Sequence, residues 1–197
     1  TSLGDESVTV TDAVTKANAD TINAYTTGTV TLTSVADTVA NITAIDALTT
    51  SQVNMASASI TVTDQITKAQ VDAVNAFTTG TVTPTSLTED RADIATLQGT
   101  TGISLATTNI TVTDQVTKAQ ADTINAYTTG TVTLTSVADT VANITAIDAL
   151  TTSQVNMASA SITVTDQITK ANADTINAYT TGTVTLTSVA DTVANIT

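Results

Sequence analysis

The chain has no cysteine and no histidine, a single proline, three tyrosines and one phenylalanine as its only aromatics, and five basic residues against 18 acidic ones. Each shortage excludes something. Without cysteine there is no disulfide and no thiol nucleophile, and either redox compartment is open to the protein. Without histidine the usual serine and cysteine catalytic triads cannot be assembled. The net charge of −13 argues against a nucleic-acid partner, which needs clustered Lys and Arg, and against anionic membrane surfaces. No stretch approaches the roughly 18 consecutive apolar residues of a spanning helix, so no membrane insertion is expected. The residues from Thr1 do not read as a signal peptide, but the chain starts and stops inside a repeat and is expected to be a processed or excised piece, so that carries little weight.

What is present is repetition. Residues 19–69 and 121–171 are identical letter for letter, an offset of 121 − 19 = 102. A strand-like opening recurs at Val8, Ile60, Ile110 and Ile162, at intervals of 52, 50 and 52. This divides the chain into the end of a preceding repeat (1–7), repeat 1 (8–59), a diverged repeat 2 (60–109), repeat 3 (110–161) and a partial repeat 4 (162–197). A repeat of roughly 50 residues marks a solenoid, propeller or array. The apolar 41% is almost all Ala, Val, Ile and Leu, which suits thin stacked layers. Threonine, about a quarter of the chain, is ordered into strand-like alternation and is not read as disorder.

Within one repeat, VTVTD (Val8–Asp12) has the period-two pattern of a half-buried strand. A helix follows, opened by Thr15, Thr67 or Thr117, the last two with Gln70 and Gln120 placed for a capping box. Ile66, Ala69, Ala73, Val74 and Phe77 are expected to form its apolar face, and Gly28 to end the equivalent helix in a left-handed C′ position. TVTLT (Thr29–Thr33) is a second strand. Its copy TVTPT carries Pro84, which places that position near a strand end or marks a local break in the sheet. The second helix is expected to open at Ser34, or at Ser86 with Glu89, and to carry the stripe Val35, Val39, Ile42, Ile45 and Leu48. Arg91, in the place of Val39, is expected at the margin of that face. Thr49–Ser59 reads as a short third strand or extended connector around Val53 and Met55. Crossovers through helices imply parallel strands, and one repeat cannot bury its own faces, so neighbours must stack. The fold expected is an α/β repeat solenoid with parallel β-strands and one or two short helices per repeat of about 52 residues. A coil stacking first strand on first strand fits nearly as well.

The tandem units ITVTDxxTKAxADxxNA, TTGTVTxTS and VADTVANI resemble the Thr/Ala-rich repeats of giant secreted or surface proteins of bacteria, cyanobacteria among them. Those proteins are adhesins, surface-layer components or extracellular fibres. The resemblance covers nearly the whole chain and implies a structural role at the cell surface. Many of that group carry calcium-binding glycine–aspartate nonapeptides; no GGxGxDxUx stretch occurs here, and no functional residue carries over.

The acids recur with the repeat: Asp12, Asp20, Asp37 and Asp46, then Asp114, Asp122, Asp139 and Asp148. A catalytic pair is singular, so these read as helix-dipole and capping groups at helix starts, not as an enzyme's carboxylates. No cofactor is expected. Calcium is a candidate only where acids such as Asp12 and Asp20 converge with six or more oxygens. Lys16, Lys68, Lys118 and Lys170, each four residues after an Asp, read as surface ion-pair partners, an isopeptide bond being the sharper alternative. Asn41, Asn109, Asn143 and Asn195 stand in N-I-T acceptor patterns, of which Asn109, at a strand entrance, is the best placed. Thr9, Thr11, Thr31, Thr33, Thr111, Thr113, Thr133 and Thr135 are candidates for O-linked sugar, and Thr9 with Thr11 and Thr29 with Thr31 and Thr33 for ice-binding ranks. Tyr25, Tyr127, Tyr179 and Phe77 share one helix position and read as core. The function expected is a stacked, self-associating segment of an extracellular fibre, sheath or adhesin stalk, with covalent glycans as an added partner. An extracellular module binding ice, glycan or calcium is the alternative.

Overall fold

The computed structural model describes residues 2–48, 52–150 and 154–196. The chain divides into two compact units, Thr1–Leu87 with Thr96–Thr108, and Thr88–Ala95 with Asn109–Thr197. Strands alternate with short helices, apart from two places where a two-residue strand leads directly to the next strand. The first half runs β1 (Val8–Val14), α1 (Lys16–Asn23), β2 (Val30–Asp37), α2 (Val39–Asp46), β3 (Val53–Asn54), β4 (Ser59–Ile66), α3 (Lys68–Asn75), β5 (Val82–Glu89) and α4 (Arg91–Gly99). The second runs β6 (Asn109–Val116), α5 (Lys118–Asn125), β7 (Val132–Asp139), α6 (Val141–Asp148), β8 (Val155–Asn156), β9 (Ser161–Ile168), α7 (Lys170–Ala178), β10 (Val184–Val189) and α8 (Val193–Ile196).

In the first unit the sheet order is β1-β2-β4-β5, with β3 beside β2 and every pairing parallel. The second unit repeats it as β6-β7-β9-β10, with β8 beside β7. Within each unit the strands of successive β–α coils pair side by side, so the architecture is the α/β parallel-strand repeat solenoid expected. The short third strand is present as β3 and β8; the neighbouring Thr49–Ser51 lie outside the described residues.

Register explains the details. Val30 lies opposite Val8 and Val53, whereas Val35 lies opposite Val14 and Ile60, and Ile60 opposite Val82. The ladder therefore steps 35 − 30 = 5 residues along the strand per repeat, about 16 Å at roughly 3.3 Å per residue. A bulge accompanies the step in every copy. Thr63 and Asp64 together oppose Thr85, and the register shifts equally between Val10 and Ala13, and between Val112 and Gln115. The extra residue, on β1, β4 and β6, resets the inward face of the strand paired against it: on β2 Val30 and Leu32 point into the core, and so does Val35, an odd number of residues on, while Ile60, Val62 and Ile66 of bulged β4 keep an even spacing.

This reset corrects the expected start of the second helix. Ser34–Asp37 and Ser86–Glu89 have the spacing of a helix opening, yet they are the second half of β2 and β5. Val35 and Leu87 are fully buried in the sheet, and Thr38 and Thr140 are the actual N-caps, accepting the N–H of Asn41 and Asn143. Of the expected stripe, Ile42 and Ile45 are buried on α2, and Val39 and Leu48 are half-buried. Arg91 is half-buried, at the margin.

The first helix is capped as expected: Gln70 and Gln120 Oε1 accept the N–H of Thr67 and Thr117, each at 2.9 Å. Its buried face differs. Ile66 ends β4, Ala69 and Ala73 are exposed, and Val71 and Val74 carry the burial. The aromatic position is not core. Tyr25 is 51% exposed, and Phe77, Tyr127 and Tyr179 are half-buried. Helices of eight residues supply one or two buried side chains each, so the core is a thin sandwich that small aliphatics fill and rings would overfill.

Glycine and proline act differently from expectation as well. Gly28 does not take a left-handed conformation; among the described residues the glycines with positive φ are Gly4 and Gly102. What Gly28 and Gly80 provide is close approach: a Cβ at Gly28 would lie 2.5 Å from the carbonyl oxygens of Asp5 and Glu6, and one at Gly80 would collide with the Ala58 carbonyl. Pro84 is buried in mid-strand opposite Val62. Two residues earlier, Val82 donates to the Gly102 carbonyl and accepts from Ser104. In a parallel strand Pro84 faces the same side, where the chain turns away after Leu105 and Thr108 Oγ1 donates to the Pro84 carbonyl at 2.7 Å. The missing N–H falls where the neighbouring rank leaves the sheet, the local break that was one of the two expectations.

Candidate functional site

The recurrent chemistry of the chain lies where one coil meets the next. The bulge carboxylates point across to the preceding coil. Asp64 Oδ1 accepts the N–H of Val39 at 3.1 Å, Asp114 that of Arg91 at 2.9 Å, and Asp166 that of Val141 at 3.0 Å. The strand-end carboxylates do the same for the other helix. Asp37, Asp139 and Asp191 Oδ2 accept the N–H of Lys16, Lys118 and Lys170 at 2.8, 2.9 and 3.0 Å. A helix N-terminus carries unsatisfied N–H groups and partial positive charge. Here the first helical N–H of one coil is satisfied by an acid on the next strand along the sheet. Each coil thus completes the helix of its neighbour.

Asp37 and Asp139 are multiply held. Partial burial works to raise their pKa, but the N–H of Lys16 or Lys118, the Asn41 or Asn143 side chain, and the N–H of Thr38 or Thr140 together bring it below the ordinary carboxylate value. Asp148 moves the other way, raised by burial. Asp46 and Asp148 end helices, contrary to the expectation of helix starts, and Asp20 lies within α1 and pairs with Lys16 at 2.5 Å. Lys68, Lys118 and Lys170 likewise pair with the Asp four residues on, at 2.6, 2.6 and 2.7 Å. The lysines are surface ion-pair partners as expected, but of the Asp four residues after each and not of the Asp four residues before it. Among the described residues no group of three or more acidic side chains is placed to hold a metal ion, and Asp12, the calcium candidate, is exposed at the first coil.

A second coil-to-coil joint is made by the TTG sequence. Thr78 and Thr180 are buried; their hydroxyls donate to the carbonyls of Ala58 and Ala160 at 2.6 Å and accept the N–H of Gly80 and Gly182 at 2.9 Å. Thr26 repeats the pattern with Glu6 and Gly28. Sequence reasoning missed this role; the signal available was the invariable Thr-Thr-Gly at the same phase of every copy.

The candidate modification residues divide. Asn109 is exposed at the start of β6, but its Oδ1 accepts the N–H of Thr131 at 2.9 Å. The amides of Asn41, Asn143 and Asn195 donate to Asp37, Asp139 and Asp191 at 2.8, 2.7 and 2.6 Å, which places those acceptors inside the caps. Thr33 and Thr135 are exposed, with hydroxyls that donate to the bulge carbonyls of Val10 and Val112 at 2.9 and 2.8 Å. Thr9, Thr11 and Thr113 are exposed, and Thr31, Thr111 and Thr133 half-buried, on the outward sheet face. The stepped register limits the threonine ranks: Thr9 and Thr31 lie side by side and the rank then meets Asn54, while Thr61 and Thr83 are flanked by Ala36. A continuous ice-matching rank is not built. Two equivalent surface grooves, of about 470 and 450 Å³, pair an aromatic ring (Tyr179 or Phe77) with Asp148 or Asp46 and the amides of Gln154 and Asn156 or Gln52 and Asn54.

The chain matches no family model, no curated protein and no solved structure. No helix among the described residues is long and apolar enough to cross a membrane.

Proposed function

We propose that the chain is a structural repeat protein, a segment of an extracellular fibre, sheath or adhesin stalk, acting through coil stacking and self-association and not through catalysis. One observation carries the reading: the helix N-termini are closed by carboxylates of the following coil, at 2.8 to 3.1 Å, in both units. Asp37, Asp64, Asp114, Asp139, Asp166 and Asp191 join one coil to the next, which suits an array that must hold together end to end. Stability then sums over coils and their nearest-neighbour joints. The outward face of Thr, Ser and Ala is left for solvent or attached sugar, which suits a surface location, and the net charge of −13 keeps such an array dispersed laterally. Negative-stain microscopy together with sedimentation at rising concentration tests the proposal. Filaments or lengthening rods support it; a particle of fixed monomer mass at every concentration removes it.

A further inference from the structure

We propose that the two equivalent grooves are binding sites for neutral sugars, each taking one pyranose ring of an oligosaccharide against its aromatic side chain. The proposal goes beyond self-association and does not depend on it. Each groove lies within one unit. Asp46 at the end of α2, Gln52, Asn54 of β3 and Phe77 line the first; Asp148 at the end of α6, Gln154, Asn156 of β8 and Tyr179 line the second. Their volumes, about 450 and 470 Å³, fall in the range of about 300–1,000 Å³ typical of small-ligand pockets. The rings stand half-buried at the groove and outside the core. Phe77 occupies the place of Tyr179, so the ring contributes its face and not a hydroxyl. That electron-rich face attracts the polarised C–H groups on the flat side of a pyranose. The amides are held ready for the edge of such a sugar. Gln52 and Gln154 Nε2 donate to the carbonyls of Thr27 and Thr129 at 2.6 and 2.9 Å, and Asn54 and Asn156 Oδ1 accept the N–H of Ala56 and Ala158 at 3.0 and 2.9 Å. Each groove therefore keeps one Gln Oε1 acceptor and one Asn Nδ2 donor that no other described residue engages. With the carboxylate they match neighbouring hydroxyls, each both donor and acceptor. Among the described residues no basic side chain lines either groove, and the carboxylate, with a net charge of −13, repels uronic, sialic and sulfated sugars. The diverged repeat shows that the coil does not need these groups. Gln98, Gly102 and Ser104 stand there in place of Asp46, Gln52 and Asn54, yet Val82 donates to the Gly102 carbonyl as Val30 does to Gln52 and Val132 to Gln154.

Phe77 is the chain's only phenylalanine, so para-fluorophenylalanine labelling places a single fluorine NMR signal in one groove. The full chain is titrated with neutral trisaccharides of glucose, mannose, galactose, N-acetylglucosamine and N-acetylgalactosamine, and with trigalacturonate as the anionic probe. At least one neutral probe is expected to move the signal saturably, and trigalacturonate to leave it in place. Asp46→Gln with Asn54→Ser gives this groove two of the residues that repeat 2 already carries, and should abolish the response with little change in the urea midpoint. Asp148→Gln with Asn156→Ser alters the other groove and should leave the response whole. Asn54→Asp keeps the Oδ1 that accepts from Ala56 and removes the donor; it should weaken binding about fivefold, which provides the answer if the double variant does not fold. A signal that no neutral probe moves overturns the proposal. So does a response that survives both Asp46→Gln with Asn54→Ser and Asn54→Asp, or one that trigalacturonate produces equally. Sedimentation of the unlabelled chain reads self-association separately, so either idea can fail without the other.

Discussion

The bulge aspartates allow a matched comparison within one molecule. Asp166 and Asp12 occupy the same position of the same repeat, but Asp166 accepts the N–H of Val141 at 3.0 Å while Asp12 is exposed at the first coil. Asp166→Ala removes a charge-assisted bond at a helix N-terminus, and half-buried as it is, it leaves the Val141 N–H poorly hydrated. Hydrogen bonds to charged groups contribute about 1.5–3 kcal/mol, and cap removal costs about 0.5–2 kcal/mol. The Thr140 cap survives the change, so the lower half of these ranges applies, about 1–2 kcal/mol. Asp12→Ala removes a solvated carboxylate, which costs at most about 0.5 kcal/mol. For a chain of this size each kcal/mol shifts the melting temperature by about 2–4 °C. The assay is urea and thermal unfolding at a dilution where the chain is monomeric, with amide exchange as the local readout. Asp166→Ala should melt about 2–8 °C lower and lose protection at Val141 and the first turn of α6, and Asp12→Ala should match the unsubstituted chain. Equal effects at the two positions, or an unchanged Val141 amide, would refute the claim that the carboxylate joins coils.

Other expectations follow from the same joints. Gly80→Ala, whose Cβ would meet the Ala58 carbonyl, should destabilise by about 1–3 kcal/mol, whereas Gly99→Ala, with open space around its Cβ, should be neutral or stabilising by up to about 1 kcal/mol; urea midpoints compare them. Thr78→Val deletes the hydroxyl that serves both Ala58 and Gly80 and should cost about 2–3 kcal/mol, checked by the same titration. Asp37 and Asp139 have lowered pKa values, so their contribution is complete above the unfolded-state value of about 3.9 and is lost as pH falls through the lower folded values; the melting temperature should drop below about pH 4, and the double Asp→Asn variant should flatten that limb. Asp148, raised by burial, opposes folding once ionised, and Asp148→Asn should raise the neutral-pH melting temperature by a measurable amount.

What could be read from the chain was what neighbouring residues decide. Val8–Val14 alternates as a strand because one face is half-buried, and Thr67 with Gln70 caps a helix because the partners are three residues apart. The failures share a cause: the deciding partner is distant. Ser34–Asp37 satisfies a local helix-start rule, but Val35 is claimed on both sides, by Val14 and Ile60. Asp37 was legible as a capping acid. The helix it caps was not, because the Lys16 N–H lies 21 residues back and the N–H that Asp64 holds lies 25 back. The bulge that aims Asp64 is likewise a property of two strands together, and in one strand Thr63-Asp64 looks like an ordinary strand end.

Copying has a cost that the diverged second repeat offsets. Identical coils fit one another at any multiple of the period, so a chain of perfect copies can stack out of register by a whole repeat. Repeat 2 differs where register is set. Pro84 is tolerated because the Leu105–Thr108 segment beside it has left the sheet and supplies the Thr108 hydroxyl. Arg91 brings its Nε within 3.7 Å of Asp114 Oδ2, beside the helix cap made by the same carboxylate, where the other copies have valine. The Thr108 hydroxyl is found in one copy only, with Ala58 and Ala160 at the same place in the others, so Pro84 would lose it in a slipped stack. The Pro84–Thr108 pair in the least regular copy therefore favours one alignment of the chain on itself.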